Sequence, residues 1–113
     1  MDKTIRRSRA EGSVTAPSSK SYAQRAVAAA LLCEGTSTLT NMILCDDTRA
    51  ALQVAADLGA EVEAGTDGTT YTIRGGLRPH AQAIHIGESG LAARLFTPIA
   101  ALCDERITIT GRG

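Results

Sequence analysis

The stretch APSSKSYAQRA, at residues 16–26, places three groups that bind anions within two turns of a predicted helix. Lys20, Ser21 and Arg25 stand at the start of a segment made mostly of alanine. A helix start exposes free N–H groups and about half a positive charge, so acidic residues are usual there. An ammonium, a hydroxyl and a guanidinium in their place predict a site for phosphate or carboxylate. On spacing alone, the alternative is a solvent-exposed helix face behind a capping serine.

A second stretch, GESGLAAR at residues 87–94, has the composition of a turn that leads from a strand into a helix. Gly87 and Gly90 frame the turn, and Arg94 follows one helical turn later. Glycines there let a ligand approach the backbone closely, although a turn needed only for packing has the same composition. The stretch lacks the Lys-Ser/Thr pair of a P-loop and the third glycine of a dinucleotide fingerprint. Because one short chain has two helix starts suited to anions, anion binding becomes a better interpretation of each.

Two aspartates and a histidine are the remaining candidates for chemistry. Asp46 and Asp47 would suit acid–base work as a pair. Capping of the helix that follows explains them without chemistry, with Asp46 as the N-cap. His85 falls on a short apolar segment, which predicts a buried strand and a core histidine rather than a catalyst.

The cysteines and the absence of apolar runs indicate the compartment. Cys33, Cys45 and Cys103 are odd in number and have no CxxC spacing, which predicts buried free thiols in a reducing environment. Because His80 and His85 are not at ligand spacing with any cysteine, we expect no metal site. No apolar run follows the basic N-terminus, and no segment reaches the ~18 apolar residues of a membrane span. These features predict a cytoplasmic protein.

The overall charge and the aromatic content limit the partners and the core. Twelve basic and twelve acidic residues cancel, which argues against nucleic acids or a membrane surface as partners. Aromatic residues make up only 3% of the chain, so the core must be built from Ala, Leu, Ile and Val. Its elements must then approach closely to bury enough apolar area.

Three helices are predicted from capping residues and apolar spacing. The first runs over 20–33, after Ser18 or Ser19 as N-cap, with Gln24 on the outer side beside Lys20. The second follows Asp46 and ends at Gly59. The third covers 89–102 and is expected to kink or to start late, because Pro98 lies in its interior. The residues expected to face inward are Tyr22, Ala23, Ala26, Val27, Ala30, Leu31, Ala51, Leu52, Ala55, Leu58, Leu91, Leu95, Ile99 and Leu102.

The strands complete an α/β (α+β) pattern. We expect extended segments at 3–8 and 12–15, a strand at 36–40, and a hairpin of strands at 60–64 and 69–75. Short strands at 83–86 and 106–110 flank the third helix. The order ββαβαβββαβ contains one βαβαββ unit from Gly12 to Arg74 and the start of a second at Ala83.

Residues 17–60, from PSSKSYAQRA through CDDTRAALQVAADLGA, strongly resemble the N-terminal part of the 5-enolpyruvylshikimate-3-phosphate synthase family. That family shows Pro-Gly-x-Lys-Ser with a following arginine, then Glu-Gly-x-(Ser/Thr)-x-(Leu/Ile)-x-Asn, then Ser-Asp-Asp. GESGLAARLFTPIAAL is similar to its second signature, Gly-Asn-(Ala/Ser)-Gly-Thr-x-x-Arg. The resemblance covers residues 12–111 and implies the family's inside-out α/β barrel, built from βαβαββ units.

The resemblance implies an activity and a set of site residues. The family transfers the enolpyruvyl group of phosphoenolpyruvate to the 5-hydroxyl of shikimate 3-phosphate, without a metal or an organic cofactor. Lys20 would contact both substrates as the catalytic lysine, and Ser21 and Arg25 would hold shikimate 3-phosphate. Gly90 would lie against phosphoenolpyruvate, with Arg94 as the arginine of the second signature.

Four positions depart from the family's pattern. Ser18 replaces the glycine of Pro-Gly, and Glu88 replaces the asparagine of Gly-Asn, which puts an acid near an expected anion. Leu91 stands where the family has threonine, and Leu95 where it commonly has proline.

Family members are several times longer, so the sequence is expected to be an N-terminal fragment that is inactive alone. Residues 1–16 would supply strands that pack on the other domain, and residues 17–113 would form part of one domain. Unpaired strand edges favour a dimer of the fragment. Two alternatives remain: a relative acting on UDP-N-acetylglucosamine, and a stand-alone anion-binding module without activity. The first usually has asparagine where this chain has Ser21.

Overall fold

The computed structural model describes all 113 residues and contains three helices and five strands. The helices are α1 (Lys20–Leu32), α2 (Asp46–Asp57) and α3 (Gly90–Ala100). The strands are β1 (Thr36–Leu39), β2 (Glu61–Ala64), β3 (Tyr71–Arg74), β4 (Ala83–His85) and β5 (Thr108–Thr110). The coarse prediction of a mixed helix and strand domain is therefore confirmed. None of the three helices has the length and hydropathy of a membrane-spanning segment.

The strands form two separate sheets. In the first, β3 lies between β1 and β2 and is antiparallel to both, so the predicted β2–β3 hairpin is present. In the second, β4 pairs with β5 in parallel, and α3 makes the crossover that such a pair needs. Tyr71 and Ile73 of β3 are buried, and they face the helices that pack over the first sheet.

Small side chains build the core, as the composition predicts. Eight of its nineteen residues are alanines, and Phe96 and Tyr71 are its only aromatic members. The alanines let α1 pack closely against both α2 and α3. At the far end of α1, Gly75 is so close that an added Cβ would overlap the carbonyl oxygens of Ala30 and Cys33. Only glycine fits there, which fixes the end of β3 against the end of α1.

The inward faces of α1 and α3 differ in part from the prediction. On α1, Tyr22 is 76% exposed, whereas Gln24 is buried at 1%. On α3, Phe96 and Ala92 are fully buried, while Leu102 is exposed because it lies beyond the helix end at Ala100. Pro98 lies in the last turn of α3, two residues before the helix end at Ala100.

The N-terminal segment contains neither of the two strands predicted for it. Residues 1–19 form no helix or strand, and Ile5 and Val14 are 94% and 95% exposed. The physical reason is that a strand needs a neighbouring strand to take its backbone hydrogen bonds, and none lies beside this segment. The βαβαββ unit predicted from Gly12 therefore lacks its first strand. Packing of residues 1–16 on another domain, and dimer formation through them, stay predictions.

Candidate functional site

The start of α1 presents the three predicted anion-binding side chains. Ser19 is the N-cap, and its hydroxyl accepts a hydrogen bond from the Tyr22 N–H at 3.3 Å. No acidic residue occupies the first turn. Lys20 and Arg25 are exposed and Ser21 is half-buried. Arg25 forms no ion pair within the chain. The helix start therefore combines free N–H groups with an unpaired guanidinium, as an anion site requires.

Asp47 belongs to the same cluster, which the sequence reasoning missed. The Lys20 Nζ lies 2.8 Å from Asp47 Oδ2. The hydrogen bond to Asp47 and the negative charge of its carboxylate raise the pKa of Lys20. Asp47 is thus a partner of the lysine rather than half of an acid pair with Asp46. No local sequence signal reveals this ion pair, because it depends on how α1 packs against α2.

Cys45, rather than Asp46, is the N-cap of α2. The Thr48 hydroxyl accepts a hydrogen bond from the Cys45 N–H at 2.8 Å and donates to backbone carbonyls of the preceding loop. Hydrogen bonds from Thr48 lower the pKa of the Cys45 thiol. The aspartates then occupy the first turn, where they interact favourably with the helix dipole. The Ser18 hydroxyl accepts from the Ile43 N–H at 3.0 Å, which ties the approach to α1 to the approach to α2.

The turn at residues 87–90 leads into α3 as predicted. Gly87 has φ +65°, a conformation that favours glycine. Ser89 is the N-cap of α3, and its hydroxyl accepts from the Ala92 N–H at 3.0 Å. Gly90 is exposed, and Arg94 lies beside it, donating to its carbonyl oxygen at 3.3 Å. A Cβ at Gly90 would meet nothing closer than this flexible arginine at 3.3 Å, so packing within the chain does not demand a glycine there.

His85 and the cysteines differ from the prediction in their exposure. His85 is exposed, and its Nδ1 accepts a hydrogen bond from the Gly87 N–H at 3.1 Å, so it is not a core histidine. Strand alternation explains this, because in β4 only Ile84 points inward. All three cysteines are free, but Cys33 is exposed and the other two are half-buried. Burial raises the pKa of the Cys103 thiol.

One buried hydrogen bond joins the two helix starts. The Ser89 hydroxyl donates to Gln24 Oε1 at 2.7 Å. Gln24 lies one turn after Lys20 on α1, and Ser89 immediately precedes Gly90 on α3. The structure therefore brings the two predicted sites to one side of the α1–α3 packing, instead of leaving them as separate features.

A polar cleft borders this cluster and separates the start of α2 from the 87–88 turn. It contains both aspartates of α2 and the carboxylate of Glu88, together with three basic side chains. Its lining residues are Asp46, Asp47, Arg49, Ala50, Gln53, His85, Gly87, Glu88 and Arg112. Because cations line the same cleft, the negative charge of Glu88 is not isolated.

A basic helix start with Lys20, Ser21 and Arg25 and a glycine turn before α3, both on an α/β scaffold, are typical of a domain that binds anions. Comparison with known proteins identifies its family. The family described as EPSP synthase (3-phosphoshikimate 1-carboxyvinyltransferase) matches residues 5–113, and the chain belongs to this family.

Individual relatives agree with this assignment. The chain is 37% identical over 112 residues to a 3-phosphoshikimate 1-carboxyvinyltransferase of Methanothermobacter thermautotrophicus, covering 98% of the chain and 27% of the relative. It is 41% identical to the enzyme of that name from Chlamydia caviae over 101 residues, covering 88% of the chain and 23% of the relative. The EPSP synthase structure from Acinetobacter baumannii superposes with a TM-score of 0.72 at 29% identity, covering 90% of the chain and 24% of that structure. The chain thus spans about a quarter of the length of these relatives.

Proposed function

We propose that this chain forms part of an enzyme that transfers the enolpyruvyl group of phosphoenolpyruvate to shikimate 3-phosphate. The observation that carries the proposal is the start of α1, where Lys20, Ser21 and the unpaired Arg25 meet the free N–H groups of the helix. Membership of the EPSP synthase family supports the choice of substrates. Both substrates carry several negative charges, which explains a basic helix start where acidic residues are usual.

Each side chain has a role that suits its chemistry. The Arg25 guanidinium offers two parallel N–H donors, which match the oxygens of a phosphate. The Ser21 hydroxyl and the N–H groups of the first turn add neutral donors to the same ligand. Lys20 supplies a compact charge that can turn between two anions, and Asp47 holds it in place until a ligand arrives. We assign these three α1 residues to shikimate 3-phosphate.

The 87–90 turn is the proposed contact for phosphoenolpyruvate. Exposed backbone at Gly90 leaves room for a ligand to lie against it, and Arg94 supplies a positive charge on the same turn of α3. In the net transfer, the 5-hydroxyl oxygen forms a bond to C2 of the enolpyruvyl group, and the C–O bond to phosphate breaks with its electrons going to phosphate. The proton of the hydroxyl leaves on the released phosphate. Lys20 and Arg94 would stabilise the negative charge carried by the phosphoenolpyruvate.

Titration of the 113-residue chain with shikimate 3-phosphate, followed by NMR, tests the proposal. We expect a dissociation constant of about 1 mM or weaker, since the chain spans only about a quarter of its relatives. Loss of a charge-assisted contact costs about 1.5–3 kcal/mol, so Lys20→Ala or Arg25→Ala weakens binding by at least about tenfold. Lys3→Ala and Arg74→Ala remove the same charges at exposed positions outside the proposed site and leave the affinity unchanged.

Two results would contradict the proposal. Equal affinity in the wild type and in both α1 variants would place the phosphate site elsewhere. Binding of inorganic phosphate as tight as that of shikimate 3-phosphate would favour a general anion-binding module, because the shikimate ring would then contribute nothing.

A further inference from the structure

The hydrogen bond between Gln24 and Ser89 joins two buried polar side chains that are 65 residues apart in sequence. Gln24 is 1% exposed and Ser89 is 5% exposed. A buried amide or hydroxyl is destabilising without a partner, and an apolar pair of similar shape would pack two helices without that risk. The hydrogen-bonded pair therefore specifies one relative position of α1 and α3, which an apolar pair would not do.

The Ser89 hydroxyl makes a second hydrogen bond that extends this placement into α3. It accepts from the Ala92 N–H at 3.0 Å as the N-cap, while it donates to Gln24 at 2.7 Å. One oxygen atom thus sets both where α3 begins and how that beginning lies against α1. Rotation of the serine to another conformer would break both bonds together.

The link connects the two halves of the candidate site. Gln24 lies four residues beyond Lys20, about 6 Å along the helix axis, and immediately before Arg25. Ser89 is directly followed by Gly90. A small shift of α3 along α1 would therefore move Gly90 relative to the α1 cations, and the Gln24–Ser89 bond opposes that shift.

We propose that Gln24 and Ser89 are positioning residues. They hold the Gly90 turn at a fixed position relative to the α1 side chains Lys20, Ser21 and Arg25, so that a ligand bound at the start of α1 also changes the environment of Gly90. The inference rests on the function proposed above. Neither residue touches the substrate. They act through the helices, because misplacement of a binding group by about 1 Å is enough to weaken a site considerably.

Gln24→Met in the 113-residue chain tests the inference, since methionine keeps the length and unbranched shape but removes the amide acceptor. Shikimate 3-phosphate is titrated while the amide signals of Ser21 and Gly90 are followed by NMR. We expect the affinity to fall about tenfold. At saturating ligand, the ligand-induced change in the Gly90 amide shift should be largely lost, while the change at Ser21 persists.

Two further variants separate positioning from stability. Ser89→Thr keeps the hydroxyl, and should bind within about twofold of the wild type. Ile73→Val lowers the stability of the core in β3, away from both helix starts, and should change neither the affinity nor the Gly90 shift. If Gln24→Met does not fold, Gln24→Leu is measured in its place.

The outcomes distinguish the two proposals. Wild-type affinity and a wild-type Gly90 shift in Gln24→Met, with binding lost in Lys20→Ala, would overturn the positioning role and leave the proposed function standing. A wild-type chain that shows no saturable binding would overturn the proposed function, and this inference with it.

Discussion

Ser89→Ala should lower the free energy of unfolding by more than the loss of an ordinary serine N-cap does. The change removes the N-cap of α3, which costs about 1 kcal/mol in free energy of unfolding. It also leaves the buried Gln24 acceptor without its donor, which adds about 1–3 kcal/mol. The expected loss is about 2–4 kcal/mol, from a total of about 5–15 kcal/mol for a domain of this size.

Ser19→Ala is the matched control, since Ser19 is also a serine N-cap. Its only side-chain hydrogen bond is a 3.3 Å contact to the Tyr22 N–H in an exposed setting, so the expected loss is about 0.5–1 kcal/mol. Urea unfolding followed by far-UV circular dichroism gives both values, and unchanged m values would confirm that the two-state comparison is valid. By thermal melting, the two variants should differ by about 4–8 °C for each kcal/mol.

Equal destabilisation by the two substitutions would refute this reasoning. It would mean that the Gln24–Ser89 hydrogen bond contributes nothing beyond an ordinary cap. A double-mutant cycle with Gln24→Met gives the same information directly, since a coupling energy within about 0.3 kcal/mol of zero would show that the two side chains act independently.

Three other predictions concern packing, acid stability and turnover. Gly75→Ala should cost about 3 kcal/mol or more, because its Cβ would overlap the backbone oxygens of Ala30 and Cys33, whereas Gly35→Ala meets nothing closer than 3.6 Å and is tolerated; denaturant unfolding measures both. Hydrogen bonds from Thr70 and from the Thr69 N–H lower the pKa of Asp67 from 3.8 to about 2, so stability is lost as the pH falls from about 4 to about 2, and Asp67→Asn should flatten this part of an acid titration. The 113-residue chain should release no phosphate from its two proposed substrates above background in a colorimetric assay, because a closed cleft with an acid–base pair is needed.

The local features of the site could be predicted from the sequence because they depend on near neighbours. The start of α1 follows from Pro17, a capping serine and the alanine-rich run, and it places Lys20 and Arg25 on the surface without any tertiary information. The glycine turn before α3 and the β2–β3 hairpin are equally local, and both are present.

The contacts between elements could not be predicted in the same way. Gln24 is polar, so helical periodicity placed it on the outer side. Its burial depends on Ser89, which arrives from 65 residues away and satisfies its amide oxygen. The Lys20–Asp47 ion pair likewise depends on how α1 packs against α2. Helical spacing predicts Tyr22 on the inward face, but no element covers that part of the helix and Tyr22 is exposed.

The predicted N-terminal strands show a different limit. The β-branched residues in 3–8 and 12–15 are compatible with strands, yet a strand exists only beside a partner. The structure leaves residues 1–19 largely exposed and without a strand, so the sequence pattern did not decide whether pairing occurs.

A residue-resolved map of amide shifts on addition of shikimate 3-phosphate tests the central claim most directly. The account predicts that the largest shifts fall at the first turns of α1, from Lys20 to Arg25, with a smaller response at Gly90. The β2–β3 hairpin, around Asp67, should not respond. Shifts concentrated away from the α1 start, or spread evenly over the exposed cations of residues 1–9, would contradict the assignment of this helix start as the phosphate site.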